Sequence, residues 1–220
     1  MKNKALIIVD PQNDFCEGGS LAVNNANEIF PEIKRLREHF KFKRVYITRD
    51  WHLSTHVSFA SNHKDKKPFT QIPMTIYRNN TYLNYNLDLW PVHCVSNTKG
   101  AEFHKDLQVL STDKIINKGT LYDVETFSGF RDIFNGQFET TELLTDMFNN
   151  YIETVVICGL ATDYCVKSTA IDSATYAFKT LVLESASRGV SEDTTKKAIS
   201  TMKDHGIIFV KNLNELQQYL

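Results

Sequence analysis

The stretch TVVICGLATDYCVKSTA, Thr154 to Ala170, changes character halfway along. Its first half is an apolar, β-branched run of strand length. Its second half places Val166 and Ala170, then Ala174 and Ala177 beyond it, at the three- and four-residue intervals of a helix. A strand passing directly into a helix is half of a β-α-β unit, and the rest of the chain repeats the theme. KALIIVD (4–10), RVYITRD (44–50), DKIINKG (113–119), KTLVLES (179–185) and GIIFVKN (206–212) are runs of the same kind. Ile29, Ile33, Leu36 and Phe40 form a helical stripe, as do Leu143, Leu144, Met147 and Phe148. A last helix is expected from a cap at Ser191 to a stop at Gly206. Near-continuous apolar strands alternating with helices predict an α/β fold of three layers, α/β/α, around a six-stranded parallel sheet.

At 220 residues the chain fits one domain, 1–220. Within it, residues 51–112 show little regular pattern and are expected to form a long metal-binding and lid-forming loop segment, since a loop that long is usually functional or carries short elements of its own. Hydrophobic residues are 42% and charged residues 23%, which excludes the disordered class. A net charge of −1 gives no electrostatic footprint for nucleic acid or an anionic membrane. The basic cluster KDKK, Lys64 to Lys67, precedes a proline and reads as a solvated loop. The charged start MKNK meets only five apolar residues before Asp10, so no signal peptide is expected, and no apolar run approaches the ~20 residues of a membrane span. Cysteines 16, 94, 158 and 165 form no CxxC pair and read as reduced thiols of a cytoplasmic protein. The pattern leaves open a monomer or a homo-oligomer.

In open parallel sheets, ligands sit beyond the carboxyl ends of the strands. Asp10 ends the first run, Asp50 the second with His52 just after, and Lys118 the third, while the fourth leads to Cys165. Singly, each has an ordinary explanation: a turn carboxylate, a solvated lysine, a buried inert thiol. Together they bring chemically capable groups from four elements to one rim. With Thr162 as N-cap, Cys165 would lie in the first helical turn, where free N–H groups favour a thiolate and can receive an oxyanion. A neighbouring carboxylate would raise the thiol's pKa, so Asp10 is better cast as the base that removes the proton, with Lys118 offsetting its charge. Cys158 reads as core packing, and Cys16 and Cys94 have no specified role.

RDWHLSTHVSF (49–59) and LWPVHCV (89–95) supply a second constellation. Asp50 and His52, two apart on an extended segment, suit two ligands on one side, and His93 arrives from the long segment. Two histidines and a carboxylate with open positions describe a catalytic site for zinc, iron or manganese rather than a structural one. His39, His63, His104 and His205 read as ordinary hydrogen-bonded residues.

The combination IVDPQNDFCEGGSLAV, RDWHLSTHVSF, LWPVHCV, INKG and ICGLATDYCVKSTA, in order across nearly the whole chain, resembles the nicotinamidases of the isochorismatase-like hydrolase family. The resemblance implies a six-stranded parallel sheet between helices. It makes Cys165 the nucleophile, Asp10 its base and Lys118 the third member of the triad. Asp50, His52 and His93 would hold one divalent metal ion, zinc in the first place with iron or manganese as alternatives; His56 is left open. A non-proline cis peptide is implied between Leu160 and Ala161, with the Ala161 and Cys165 amides as oxyanion hole. Phe15 and Trp90 match positions that sandwich an aromatic ring. The implied reaction is hydrolysis of the small molecule nicotinamide to nicotinate and ammonia through a Cys165 thioester, in NAD salvage, with pyrazinamide-type analogues as further substrates. Hydrolysis of isochorismate or of N-carbamoylsarcosine is the enzymatic alternative, and the Asp50, His52, His93 set argues against isochorismate. A silent binder on this fold would be expected to lack Asp10, Lys118 or Cys165, and a cysteine redox sensor would want a resolving cysteine. The stretch from Lys64 to Tyr85 is longer than expected for a compact member.

Overall fold

Six of the strands pair only in parallel, in the order β5-β2-β1-β6-β7-β8: β1 (Lys4–Val9), β2 (Arg44–Asp50), β5 (Lys114–Lys118), β6 (Thr154–Leu160), β7 (Lys179–Arg188) and β8 (Ile208–Val210). The structure is a computed structural model describing residues 3–78 and 80–220; the charged start at Met1 and Lys2 lies outside the described residues, as does Asn79. Counting only these six, the spatial order is 3-2-1-4-5-6, a doubly wound sheet whose winding reverses between β1 and β6. Alternation along each strand divides the core in two. Leu6, Ile8, Val156, Cys158, Leu181 and Leu183 face α1 (Ile29–His39) through Ile29, Ile33 and Leu36. Ala5, Ile7, Val9, Val155, Ile157 and Val182 face α2 (Leu143–Asn149), α3 (Lys167–Thr175) and α4 (Glu192–Asp204) through Met147, Ala170 and Met202. A short α5 (Leu213–Leu216) follows β8. Both faces are covered, which is why the strands read as unbroken apolar runs.

Ser191 caps α4 as expected, its side chain accepting from the Thr194 N–H, and Gly206 closes the following turn at φ +75°. Two helical stripes differ from expectation. Phe148, counted with the α2 stripe, is 53% exposed, because it stands about 100° around the helix from the buried Met147 and about 140° from the buried Leu143. α3 ends before Ala177, which adopts φ +64° while the Phe178 N–H returns to the Ser173 carbonyl at 3.2 Å. The buried side of α3 is therefore Thr169, Ala170, Asp172 and Ser173.

The expectation of an irregular 51–112 segment is corrected by β3 (Thr70–Arg78) and β4 (Thr81–Leu89), an antiparallel hairpin paired over nine positions from Thr70↔Leu89 to Arg78↔Thr81. Ile72, Leu87 and Leu89 are buried with Ala60, and Met74 and Tyr85 pack against them, while the opposite face is solvated. One-faced burial shows in the sequence as alternation, Ile72, Met74 and Ile76 on β3 and Leu83, Tyr85, Leu87 and Leu89 on β4, rather than as an unbroken apolar run. Arg78 anchors the hairpin to Asp123 through both carboxylate oxygens, at 2.7 and 2.9 Å. β4 delivers Trp90 against residues 58–60, with Trp90 N–H on the Ser58 carbonyl at 2.8 Å and Ala60 N–H on the Trp90 carbonyl at 2.9 Å. Among the described residues, no helix is long and apolar enough to cross a membrane.

At the point of reversal Val9 lies beside Gly159, and a Cβ on Gly159 would come within 2.2 Å of the Val9 carbonyl oxygen. Gly159 also sits at φ +123°, a region closed to L side chains. Gly159→Ala should therefore destabilise the protein by roughly 3 kcal/mol or more. Thermal melting of the variant would check this; an unchanged midpoint would contradict the close approach.

Candidate active site

The carboxyl ends of β1, β2, β5 and β6 meet around one buried ammonium. Lys118 ends β5 in register with Asp50 at the end of β2, and its Nζ contacts Asp50 Oδ1 directly. The same Nζ lies 2.9 Å from Asp10 Oδ2, 3.3 Å from Cys165 Sγ and 3.3 Å from the Thr126 carbonyl. Asp10, Asp50, Lys118 and Cys165 are all buried. Asp10, one residue beyond β1 at φ +47°, accepts the Thr48 hydroxyl on Oδ1 at 2.6 Å. Its Oδ2 faces the Lys118 ammonium.

Burial raises the Asp10 pKa; Lys118 opposes this in part, Asp50 adds to it, and the result is about 6. Burial would raise Asp50 as well, but Lys118, then His52 and His93, outweigh it and hold this carboxyl well below the usual range. Lys118 is held well above its ordinary value, because Asp10 and Asp50 outweigh the cost of burying its charge. Burial pushes the Cys165 thiol well above its ordinary value; Lys118 opposes the shift, while Asp10 and Asp50 reinforce it. Burial and the two carboxylates therefore oppose the thiolate that a helix N-terminus would favour.

The cap assignment is corrected too. Thr162 makes no side-chain cap; Thr162–Val166 is a wide π-type turn entered from Ala161. The Ala161 carbonyl accepts from the N–H groups of Tyr164 at 3.0 Å and Val166 at 3.1 Å, passing over that of Cys165. The peptide between Leu160 and Ala161 is cis.

Beside this cluster, Nε2 of His52 lies 3.7 Å and Nε2 of His93 4.0 Å from Asp50 Oδ2. One donor atom from each of Asp50, His52 and His93 falls within 4.8 Å of the others. The Nδ1 atoms are engaged elsewhere, His52 with the Gly119 carbonyl and His93 with the Pro91 carbonyl, both at 2.8 Å. Such outer hydrogen bonds fix the tautomer that leaves Nε2 unprotonated and available as a ligand. Burial, then His52, keeps His93 down to about 4 and hence neutral, while Asp50 outweighs burial to raise His52. This two-nitrogen, one-carboxylate set fits a divalent ion. Asp10, Asp50 and Cys165 also approach one another within 4.8 Å, but the cation among them is Lys118. His56 stacks 4.1 Å from His52, yet its Nδ1 bonds Ser58 Oγ at 2.8 Å and its Nε2 the Val124 carbonyl at 3.2 Å. Those bonds place His56 outside the donor set. His39 and His205 bond carbonyls one helical turn back, His63 bonds the Val57 carbonyl, and His104 stacks on Phe30.

A cleft of about 430 Å³, its open mouth included, leads to these groups and is lined by Phe15, Trp90, Phe127, Tyr164, Ala161 and Cys165 among others. Trp90 stands edge-on to Tyr164 at 4.8 Å. Three polar residues here escaped the sequence-based expectation. Glu125 lines the cleft; burial raises its carboxyl, with His52 opposing. The Gln12 amide clamps the Asp50 backbone from both sides, donating to its carbonyl and accepting from its N–H at 2.8 Å each. Glu139 accepts from the N–H groups of Gly119 at 3.0 Å and Thr120 at 2.9 Å and from the Thr126 hydroxyl at 2.6 Å, so one carboxylate braces the loop that serves both His52 and Lys118. Gln12 stood inside a quoted motif; Glu125 and Glu139 carried no signal of spacing.

A parallel doubly wound sheet with a cysteine, an aspartate and a lysine at adjoining strand ends defines a cysteine hydrolase of the α/β class. The chain belongs to the isochorismatase family, whose isochorismatase domain matches residues 4–212. It is 39% identical over 212 residues to a nicotinamidase of Saccharomyces cerevisiae, covering 93% of this chain and 97% of that one. The crystal structure of the yeast nicotinamidase bound to the inhibitor nicotinaldehyde superposes with a TM-score of 0.90 at 38% identity, covering 95% of this chain and 100% of that one. That of a Pyrococcus horikoshii pyrazinamidase in complex with zinc gives 0.76 at 34% identity, covering 95% and 99%.

Because the Asp10 carboxylate raises the thiol's pKa and Lys118 lowers it, Asp10→Asn should move the Cys165 titration down and Lys118→Met should move it up. Thiolate ultraviolet absorbance followed against pH, with Cys165→Ala subtracted, checks both signs. An upward move in Asp10→Asn would contradict the arrangement.

Proposed function

We propose that this chain is a nicotinamidase that hydrolyses nicotinamide to nicotinate and ammonia. The observation that carries the reading is the convergence of Cys165 Sγ, Asp10 and Lys118 on one buried point, beside the Asp50, His52, His93 donor set and beneath an aromatic cleft. Phe15 and Trp90 offer apolar faces to a flat heteroaromatic ring. Asp50, His52 and His93 would hold one divalent ion, zinc by the donor set, with iron or manganese also accommodated. When bound, the ion supplies a Lewis acid at the foot of the cleft that polarises what it touches.

The chemistry then follows from the protonation states. Above pH of about 6 Asp10 is mostly ionised, whereas the thiol is still protonated, so the pair begins as carboxylate and thiol. Asp10 Oδ2 takes the Sγ proton as sulfur attacks the carboxamide carbon, and Lys118 holds the carboxyl in place throughout. The resulting oxyanion is received by the Ala161 and Cys165 amides. Asp10 returns its proton to the departing nitrogen, ammonia leaves, and a thioester to Cys165 remains. Asp10 next accepts a proton from a water that attacks the thioester, and its return to sulfur restores the thiol and frees nicotinate. Pyrazinamide, which differs by one ring nitrogen, fits the same cleft and the same steps.

Cys165→Ala should abolish ammonia release from nicotinamide with the fold retained, and Asp10→Asn should lower kcat/KM by roughly 10²–10⁴-fold. Substantial turnover by Cys165→Ala in a coupled ammonia assay would end the covalent mechanism. Stripping metal with a chelator should depress activity, and added zinc should restore it. Full activity at a metal content near zero would refute the ligand assignment.

A further inference from the structure

The turn that carries Cys165 is tied by the Asp163 side chain to the neighbouring segment that enters α4. Asp163, two residues before Cys165, is only 2% exposed and points away from Lys118 and the catalytic cluster. Its Oδ1 accepts the Val190 N–H at 3.0 Å, and its Oδ2 accepts the Ser191 N–H at 3.4 Å and, more closely, the Thr194 hydroxyl. All three donors belong to the segment that enters α4. A buried carboxylate satisfied only by uncharged donors at a helix entry holds that entry in one place, because releasing it leaves a charge without partners. Gly189 allows the approach: a Cβ there would lie 1.8 Å from Thr195 Oγ1 and 3.3 Å from Asp163 Oδ1.

Val190 is the residue so fixed, and it lines the cleft with Ala161, Tyr164 and Cys165. It packs against the core cluster that contains Phe15, Val23 and Ala161. The proposed chemistry uses neither Asp163 nor Val190. We infer that Val190 is a specificity-determining wall of the substrate cleft and that Asp163 is its positioning residue, so that the turn bearing the nucleophile also sets how wide a ring the cleft accepts. The ligand class is a six-membered heteroaromatic carboxamide, and the inference rests on the nicotinamidase reading.

The test is the ratio of kcat/KM for ring-methylated nicotinamides to that for nicotinamide, measured in competition. This ratio is independent of how much enzyme is correctly folded, so a merely structural defect leaves it where it was. Val190→Ala should raise the ratio by about tenfold or more, the worth of a methylene or two in an apolar pocket. Val190→Leu should lower it. Asp163→Asn, whose amide cannot accept from all three donors, should raise it roughly fivefold, as one lost hydrogen bond would. Thr194→Ala, which removes one donor and keeps the carboxylate, should move it the same way and stands in if Asp163→Asn fails to fold. An active wild type with ratios unmoved in the Val190 variants overturns the inference alone. A wild type inert toward nicotinamide overturns the reading beneath it, and the inference with it.

Discussion

A lysine ammonium with no access to water is the constraint around which this molecule is organised. An unpaired charge in such a place would cost several kcal/mol or lose its proton. Lys118 keeps its proton because two carboxylates from two other strands stand against it. The arrangement is lopsided in a useful way. Asp50 gains most from the lysine and is held well below the usual carboxylate range, while Asp10 is left with a pKa of about 6, where a group can both take and return a proton near neutrality. One cation thereby drives the pKa values of two aspartates apart.

The sheet supplies the positions. Strand β1 lies at the point where the winding reverses, so the helices after β1 and β6 leave in opposite directions and open a crevice there. Asp10 and the Cys165 turn stand on the two sides of that crevice, and the Asp50↔Lys118 register closes it from the next pair of strands. The hairpin β3–β4 lies outside the sheet and brings Trp90 over the opening, with His93 three residues further on.

Much of this was legible in the residues. The six buried strands announced themselves because both faces are covered, and Asp10, Asp50 and Lys118 could be named because each ends such a run. Ser191 was recognisable as a cap for the same local reason. What was not legible depends on long-range partners. The hairpin is the exception: Leu83, Tyr85, Leu87 and Leu89 alternate with polar residues, a legible strand signal that differs from the continuous apolar runs of the main sheet. The wide turn at Thr162–Val166 depends on carbonyl geometry that no residue type encodes. Gln12, Glu125 and Glu139 act across tens of residues, and nothing in their neighbours points to Asp50, His52 or Gly119.

The four cysteines are divided by the sheet. Cys16, Cys94 and Cys158 belong to the apolar layer on the α1 side, and Cys165 to the layer on the other. By the same partition, a sulfenic acid formed on Cys165 would have no neighbouring thiol on its own face, among the described residues, with which to condense. The sheet thus keeps Cys165 from being trapped as a disulfide with the thiols of the other layer.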